Sequence, residues 1–594
     1  MTDSTTPLLA NRRRDSSPNL GRPYDSADDA PRGQSEAARS GPPWPSRVRE
    51  ALLFAWALLA SAGVLVLAVW VSHNNQTAGA DKHAGKRNLI FMVSDGMGPA
   101  SLTLTRGFRQ HTEGLEYGDT LTLDKHFWGS SRTRSSSSLV TDSAAGATAF
   151  SCARKSYNGA ISMLPDYTPC GTVLEAAKKA GYTTGLVVTT DVTDATPASF
   201  ASHVHYRTQQ DEIALQEIGQ GPLDRVVDLM FGGGRCHFLP NTTIGGCRQD
   251  DIDAIELAQK KYGWNYISDR PAFDDFWKGK KEVPLPMLGL FAPTDIPFEL
   301  DRRNMNDQYP SLREMAETAL RALEKATEKS DKGFFLMIEG SRIDHAGHEN
   351  DPSAQVREVL EYDRTFKAVL DFLDESKTDG VLVATSDHET GGLAVARQIT
   401  AAYPRYIWYP QVLANATASS EHLTRRLWEH MATATSGSGG DDSIDELKAY
   451  VNAELVVPGL GITDATDEEL TAVARYPALA QPAFAEMISR RAQIGWSTRG
   501  HSAVDVNVYS SGGPGTEALR GNVENTQVGD FLREYLGVDV DAVTRELNEK
   551  MGGDPAPPLP ALEVEVVAEE DHWAARRATE YGNRQPGSET HQQV

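Results

Sequence analysis

Several acids and imidazoles of this chain come directly after short apolar stretches, and their spacing could support metal chemistry. The stretches are residues 89–93, 183–188, 333–338 and 380–384. If they form parallel strands, the residues after them meet at one edge of a sheet, where α/β proteins bind ligands. The residues concerned are Asp95, Asp191, Asp194, Glu339, Asp344, His348, Asp387 and His388. Because so many carboxylates would repel one another, the pattern predicts bound cations.

The donors divide into sets that suit different ions. Two sets of three mix carboxylate and imidazole, as zinc sites do: Asp344, His348 and His501 in one, Asp95, Asp387 and His388 in the other. Glu339 and Thr196 add hard oxygens, which suit Mg²⁺. Two zinc ions about 4 Å apart can act on both oxygens of an in-line phosphoryl transfer.

Ser143 is the candidate nucleophile. It follows Asp142 and precedes a run of small residues, 144–149, which predicts a closely packed helix that begins at the serine. Free backbone N–H groups and the helix dipole favour an anion at that position. Serine is also a preferred N-cap residue, so the motif alone is compatible with a structural role. The metal-type donors elsewhere in the chain favour the nucleophile.

The elements that must position these residues predict an α/β fold with a largely parallel central sheet flanked by helices. Amphipathic helices are predicted over residues 172–179 and 355–377. Residues from about 395 to 490 have loop-like composition in part and are interpreted as an inserted smaller subdomain. The alternating pattern after Gly495 predicts a strand that positions His501. Residues 546–594, rich in proline and acids, predict a disordered tail.

Charge and cysteine content restrict the possible partners and compartments. The net charge of -24 over 594 residues argues against nucleic acid but not against a phosphorylated substrate, since bound cations reverse the local field. The four cysteines form two pairs that are close in sequence. They predict the disulfides Cys152–Cys170 and Cys236–Cys247 in an oxidising compartment. A zinc site is the alternative, although no Cys-x-x-Cys spacing is present.

The N-terminal region predicts a membrane anchor. Residues 51–71 are uncharged and long enough to cross a bilayer as a helix, which needs roughly 20 residues. A buried core helix and a cleaved signal peptide are the alternatives; the segment is long for either. Eight arginines precede it, which predicts a disordered cytosolic tail over 1–50, a lumenal linker over 72–85 and a single-pass type II topology.

Sequons and a sorting motif agree with this topology. Asn75, Asn241 and Asn415 each begin an Asn-x-Thr sequon, and all three fall on the predicted lumenal side. Residues 6–9 read Thr-Pro-Leu-Leu, which is similar to a dileucine signal for a sorting adaptor, although chance occurrence explains it equally well. Vacuolar or lysosomal sorting is therefore a hypothesis.

Taken together, the motifs resemble those of the alkaline phosphatase family. The matching segments are Asp95-Gly, Asp142-Ser-Ala, Asp194-Ala-Thr-Pro, Glu339-Gly-Ser-Arg-Ile-Asp-His-Ala-Gly-His, Asp387-His-Glu-Thr and Gly500-His501. They span about residues 86–545 in order, and with the N-terminal anchor the chain is most similar to the fungal vacuolar members. The resemblance implies an α/β catalytic domain over 86–545 and a homodimer.

The resemblance also implies a role for each matching residue. Ser143 would form a phosphoseryl intermediate, and Arg207 would bind the phosphate oxygens as a guanidinium fork. The zinc held by Asp344, His348 and His501 would activate the hydrolytic water, and the zinc held by Asp95, Asp387 and His388 would lower the pKa of the serine. Asp95, Thr196 and Glu339 would hold a third ion, Mg²⁺. Asp194 and His345 would lie next to this site, and because one is a carboxylate and the other an imidazole, Zn²⁺ or Co²⁺ stays open as the third ion.

Two other functions compete with hydrolysis of phosphate monoesters. A phosphodiesterase or pyrophosphatase of the wider superfamily shares the two-zinc core but resembles this chain less at Thr196 and Glu339. An inactive, membrane-tethered scaffold is the other alternative, although every catalytic position is occupied.

Overall fold

The computed structural model of this protein describes residues 47, 48, 50–64, 85–433 and 441–551. Internal contacts divide the chain into two units, Met1–Lys82 and His83–Val594. In the first unit the described residues are helical, and over the described residues of the chain no helix is both long and apolar enough to cross a membrane. Residues 65–71 of the predicted anchor, Asn75, the motif at 6–9 and the tail from 552 lie outside the described residues, so those predictions stay untested.

A ten-stranded, mostly parallel sheet forms the centre of the second unit. Its strands run in the order β12-β2-β11-β8-β1-β7-β3-β4-β6-β5, and β9 and β10 form a separate antiparallel ribbon. Within the large sheet only β11 is antiparallel to its neighbours, β2 and β8. The strands are β1 (Arg87–Val93), β2 (Phe127–Arg132), β3 (Thr183–Asp191), β4 (Leu229–Gly233), β5 (Asn265–Ile267), β6 (Met287–Leu290), β7 (Phe334–Glu339), β8 (Asp379–Thr385), β9 (Glu389–Thr390), β10 (His501–Ser502), β11 (Val506–Ser510) and β12 (Gly521–Glu524). The predicted parallel sheet is confirmed.

Helices cover both faces of this sheet. Two apolar clusters lie against it, and alternate residues of β1 divide between them: Leu89 and Phe91 contribute to one cluster, Ile90 and Met92 to the other. The helices are Pro99–Glu113, Thr122–Lys125, Ser143–Cys152, Val173–Lys179, Ala195–Ala201, Gln210–Leu215, Ala254–Tyr262, Arg270–Trp277, Glu299–Arg302, Leu312–Thr327, Arg342–His348, Pro352–Glu375, Pro410–Asn415, Ser420–Thr433, Asp441–Tyr450, Asp467–Arg475, Ala480–Ala492, Asn525–Leu536 and Val540–Met551. Both predicted amphipathic helices are present, as Val173–Lys179 and Pro352–Glu375. Because its central strands are buried on both faces, the sheet needs continuous apolar sequence, which is the signal that predicts it.

The register of the central strands aligns the ends from which the site is built. Val93 of β1 pairs with Glu339 of β7 on one side and with Thr385 of β8 on the other. The loops that carry Asp95 and Asp387 therefore leave the sheet at the same level as Glu339. Parallel pairing thus brings residues that are almost 300 positions apart to one edge.

The segment predicted as an insertion is irregular up to Tyr409 and mostly helical from Pro410, over the described residues 395–433 and 441–490. The helices between Pro410 and Ala492 bury residues such as Leu423, Leu455 and Phe484 in a third apolar cluster, which also includes Leu104 and Phe108 of the helix Pro99–Glu113. The segment therefore packs on the main body through a shared apolar cluster. Its extent as a subdomain, about 395–490, stays a prediction.

The C-terminal boundary differs from its prediction. The helix Val540–Met551 crosses residue 546, where the disordered tail was predicted to begin. Val543 and Leu547 are buried in the first apolar cluster, and the Asn548 side chain donates to the Pro169 carbonyl at 3.3 Å. The acidic composition there reflects the exposed face of an amphipathic helix, so the tail prediction was wrong for residues 546–551.

Both predicted disulfides are present. Cys152 is bonded to Cys170 and Cys236 to Cys247, so none of the four cysteines is free and the zinc alternative for them is excluded. Asn241 and Asn415 are both exposed, as glycosylation sites must be, while their modification stays a prediction.

Candidate active site

Ser143 is the first residue of the helix Ser143–Cys152, but it is not the N-cap. Asp142 caps the helix, because its Oδ1 accepts from the Ala145 amide at 2.9 Å, and its Oδ2 accepts from the Gly159 amide at 2.9 Å. The Ser143 hydroxyl is left for other contacts, and its Oγ lies 3.1 Å from Nε2 of His388. The structural alternative for Ser143, that of a cap, is therefore excluded by the geometry of Asp142.

The small residues after Ser143 allow the helix to approach the metal-type donors. An added Cβ at Gly146 would lie 2.9 Å from the Cβ of Asp387, closer than such atoms come in proteins. Every residue of the helix is buried. Close packing of this helix therefore fixes the distance between Ser143 and the loop that carries Asp387 and His388.

The first donor group consists of Asp344, His348 and His501. The helix Arg342–His348 places Asp344 and His348 one turn apart on one face, with 3.2 Å between Oδ2 and Nε2. His501 comes from β10, and its Nε2 lies 3.1 Å from Nε2 of His348 and 3.6 Å from Oδ1 of Asp344. The structure thus brings together three residues that are up to 157 positions apart, as predicted.

The second donor group surrounds His388. Its Nε2 lies 3.2 Å from Oδ2 of Asp387 and 3.5 Å from Oδ1 of Asp95. One ligand atom each from Asp95, Asp344 and His388 lie within 4.8 Å of one another, so the compact cluster here contains Asp344 in place of the predicted Asp387, and Asp344 stands between the two groups. The ring of His388 stacks on that of His501 with 3.5 Å between centroids.

Burial and mutual repulsion dominate the electrostatics of this cluster. Burial raises the pKa of Asp95 well above its ordinary value, and the neighbouring carboxylates of Asp387 and Asp344 raise it further. Burial likewise raises the pKa of Asp387 to about 7. Burial also lowers the pKa of His388, with the charge of His501 adding to the effect, so its imidazole is neutral and can act as a ligand.

Asp344 behaves differently because it faces imidazoles. Burial by itself would raise the pKa of Asp344, but His348 and His501 outweigh burial and hold it well below its ordinary value. Asp344 is therefore an anion between the two groups, which suits a ligand shared by adjacent cations.

The donor set fits divalent metal ions. Among the described residues, Oδ1 of Asp95 and Oδ2 of Asp387 are buried and have no hydrogen-bond partner, which is costly for a carboxylate unless a cation meets it. Each group offers mixed carboxylate and imidazole donors, the combination found at zinc sites. His348, whose side chain is 13% exposed, is the least buried of the six donors, so the cluster opens to solvent on its side.

Glu339, Thr196 and Asp194 share the region beside Asp95. Burial raises the pKa of Glu339 to about 8; the charge of Asp194 raises it further, whereas the hydroxyls of Ser341 and Thr196 oppose the shift. Ser341 donates to Oε2 of Glu339 at 2.7 Å. These oxygens suit Mg²⁺ rather than a soft metal.

His345 contacts residues that the sequence did not single out. Its Nδ1 lies 3.1 Å from Oδ2 of Asp295 and accepts from Nε of Arg342 at 3.2 Å. Arg342 also pairs with Glu421 of the helix Ser420–Thr433. Asp295 and Glu421 lie far from any site motif in sequence, so no spacing rule could have found them.

Arg207 reaches the site through two carboxylates. Its Nη2 donates to Oδ1 of Asp194 at 3.0 Å, and its Nη1 lies 3.5 Å from Oδ2 of Asp142. Burial alone would lower the pKa of Arg207, but Asp194 and Asp142 outweigh it and raise the pKa. Its buried Nε has no hydrogen-bond partner in the part of the chain that the structure describes, so the guanidinium retains a donor for a ligand oxygen. We did not predict from the sequence that Asp142 contacts Arg207, although its position directly before the candidate nucleophile Ser143 could have indicated a role in the site.

Replacing Arg207 by lysine should lower kcat/KM for a phosphate monoester by about 10–100-fold, mainly by raising KM. Lysine keeps the charge but loses the planar fork, and a charge-assisted hydrogen bond contributes roughly 1.5–3 kcal/mol. Steady-state kinetics on an aryl phosphate measures the effect. Arg397→Lys is the matched control, because Arg397 makes a bidentate pair with the exposed Glu486 elsewhere on the surface. A change in kcat/KM of less than threefold for Arg207→Lys would contradict a phosphate-binding role for Arg207.

The sequence is similar to those of known proteins over most of the chain. A sequence model of the alkaline phosphatase family matches residues 86–538. The chain is 53% identical over 500 residues to the repressible alkaline phosphatase of Saccharomyces cerevisiae, covering 81% of this chain and 87% of that protein. It is 49% identical over 465 residues to the alkaline phosphatase of Schizosaccharomyces pombe, covering 78% and 83%.

Solved structures are similar to this chain over most of its length. The alkaline phosphatase of Thermus thermophilus has a TM-score of 0.63 at 26% identity, covering 80% of this chain and 98% of that one. The cold-active alkaline phosphatase of Shewanella sp. has a TM-score of 0.61 at 28% identity, covering 76% and 99%.

Proposed function

Because the chain belongs to the alkaline phosphatase family, we propose that it hydrolyses phosphate monoesters of broad specificity to an alcohol and inorganic phosphate, through a phosphoseryl intermediate at Ser143. One observation supports this above all others: Oγ of Ser143 lies 3.1 Å from Nε2 of His388, beside two groups of metal-type donors. A hydroxyl in that position can be deprotonated and directed at a phosphorus atom.

We assign the donors to ions as follows. Asp344, His348 and His501 would hold one Zn²⁺, and Asp95, Asp387 and His388 a second. Asp95, Thr196 and Glu339 would hold a third ion, Mg²⁺. Elemental analysis of the purified protein distinguishes Mg²⁺ from Zn²⁺ or Co²⁺ at this third site. When bound, the ions lower the pKa of a coordinated hydroxyl or water and neutralise charge on the phosphoryl oxygens.

The proposed reaction has two steps, in which Ser143 and Arg207 take part. In the first step Oγ of Ser143 bonds to phosphorus as the bond to the leaving oxygen breaks, and the alcohol leaves with a proton. In the second step a water oxygen bonds to phosphorus as the bond to Oγ breaks, one proton of the water passes to Oγ, and inorganic phosphate is released. Arg207 binds two non-reacting oxygens in both steps, and Asp142 and Asp194 hold its guanidinium in place.

Comparing a phosphate monoester with a diester tests this function. The purified, metal-replete protein should have a kcat/KM at least tenfold higher for an aryl phosphate monoester, because Arg207 binds a terminal phosphoryl group with free oxygens. A strong preference for the diester would favour the phosphodiesterase alternative. Absence of turnover on either substrate would favour an inactive scaffold.

We further propose that residues 51–71 anchor the chain as a type II membrane protein with a lumenal catalytic domain, in the vacuole membrane. The two disulfides, the exposed Asn241 and Asn415 and the uncharged segment itself support this orientation. A homodimer, and an adaptor that binds residues 6–9, belong to the same proposal. Full-length chain should sediment with membranes, whereas a chain beginning at residue 72 and targeted to the same compartment should stay in the supernatant.

A further inference from the structure

Thr390 touches both donor groups with one hydroxyl. It is fully buried and is the second residue of the short strand β9. Its Oγ1 donates to Oδ1 of Asp344 at 2.5 Å and lies 3.2 Å from Nδ1 of His388. Asp344 belongs to the first donor group and His388 to the second, so this hydroxyl connects them.

The backbone of Thr390 is held as firmly as its side chain. Its amide donates to the Gly96 carbonyl at 3.2 Å, next to Asp95. Across the β9–β10 ribbon Thr390 is paired directly with His501. The hydroxyl therefore has little freedom to leave the two side chains that it contacts.

The chemistry of the two neighbours fixes the direction of both hydrogen bonds. A hydroxyl has one proton to donate, and an ionised carboxylate can only accept. The Thr390 proton is thus directed to Asp344, and Oγ1 can only accept from His388. An imidazole that binds a metal ion is neutral and has one ring proton, so this arrangement requires that proton to be on Nδ1, which leaves the Nε2 lone pair facing Ser143, Asp95 and Asp387.

We propose that Thr390 is a positioning residue that fixes the tautomer and ring orientation of His388 and couples them to the orientation of Asp344, so that the two metal-binding groups are aligned together. This inference rests on the proposed function, because it assumes that both groups bind metal ions. Hydrogen bonds from residues behind metal ligands typically change metal affinity by about 10–100-fold.

A packing role for Thr390 is the competing explanation. An added Cβ at Gly347 would lie 3.0 Å from the Cβ and the Cγ2 of Thr390, so the aliphatic part of the side chain is also closely packed. Two substitutions separate the roles. Thr390→Val keeps the shape and loses the hydroxyl, whereas Thr390→Ser keeps the hydroxyl and loses the methyl group.

The experiment measures zinc affinity of the metal-stripped full chain by competition with a coloured chelator, without substrate. Thr390→Val should weaken both zinc equivalents by about 10–100-fold, and Thr390→Ser should stay within about threefold of the original protein. Thr365→Val is the matched control, because Thr365 is also fully buried but its hydroxyl donates to the Glu361 carbonyl within a helix. It should bind zinc as the original protein does.

The outcomes are distinguishable. Binding of both zinc ions by Thr390→Val within threefold of the original protein overturns the inference, and so does an equal loss in the valine and serine variants, which indicates packing. Loss from one equivalent only overturns the coupling of the two groups. If the original protein binds no zinc, the proposed function itself fails, and this arm of the experiment shows it independently.

Discussion

Ser143→Ala should lower kcat/KM for an aryl phosphate by about 10³-fold or more. The substitution removes the only atom that bonds to phosphorus in the first proposed step, and loss of a nucleophile generally costs orders of magnitude in rate. Alanine adds no bulk, and Asp142 rather than Ser143 caps the helix, so folding should be unaffected. Steady-state kinetics on metal-replete protein measures the loss.

Ser151→Ala provides the control for this variant. Ser151 lies in the same buried helix, and its hydroxyl contacts Thr148 and Ser162 rather than His388. The kcat/KM of Ser151→Ala should stay within about twofold of that of the original protein. Acid quenching with radiolabelled substrate should trap a phosphopeptide that contains Ser143 in the original protein and none in Ser143→Ala. Retention of most activity by Ser143→Ala would exclude the serine as nucleophile.

Removing metal ions should abolish activity and make stability depend on pH. Chelation should reduce turnover to below about 1%, because without cations the buried carboxylates repel a phosphate and nothing lowers the pKa of Ser143. Addition of Zn²⁺ together with Mg²⁺ should restore it. Activity that survives exhaustive chelation, verified by elemental analysis, would contradict a metal-dependent mechanism.

The pH dependence of the metal-free protein follows from its raised carboxyl pKa values. Burial raises the pKa of Glu339 from an ordinary 4.5 to about 8 and that of Asp387 from 3.8 to about 7. The folded state therefore holds protons that the unfolded state has released, so stability falls as pH rises until the folded pKa is passed. The lowered pKa of His388 acts in the opposite sense, but only below its ordinary value of 6.5.

Between pH 6.5 and 8, then, the free energy of unfolding of the metal-free protein should decrease with pH. The slope is at most about 1.4 kcal/mol per pH unit for each titrating carboxyl group. Urea denaturation at several pH values measures it. The metal-loaded protein is the control and should show a much smaller slope, because bound cations keep these carboxylates ionised in the folded state. A metal-free protein that is most stable at pH 8 would contradict the raised values.

The sequence by itself determined the sheet and the residues at its edge. Continuous apolar strands such as β1 and β7 can be satisfied only by burial on both faces, so their lengths and order predict a parallel sheet with helices around it. Parallel pairing then brings Glu339 and the first residues after β1 and β8, which include Asp95 and Asp387, to the same edge of the sheet. The cysteine pairing was predictable from sequence distance alone, because the two members of each pair are close in the chain and each bond closes a short loop.

Only the tertiary structure decided the contacts that no repeat or spacing encodes. His501 reaches Asp344 because a two-residue ribbon pairs it with Thr390, and a strand this short carries no pattern of its own. Asp142 rather than Ser143 caps the helix, a choice between two good cap residues that depends on where Gly159 and Arg207 lie. Residues 546–551 were predicted as tail because their sequence is acidic. They form the end of a helix in the structure because Val543 and Leu547 of that helix are buried in the first apolar cluster. Local periodicity specifies which face of an element is apolar, whereas side-chain contacts between distant loops depend on how all the elements pack at once.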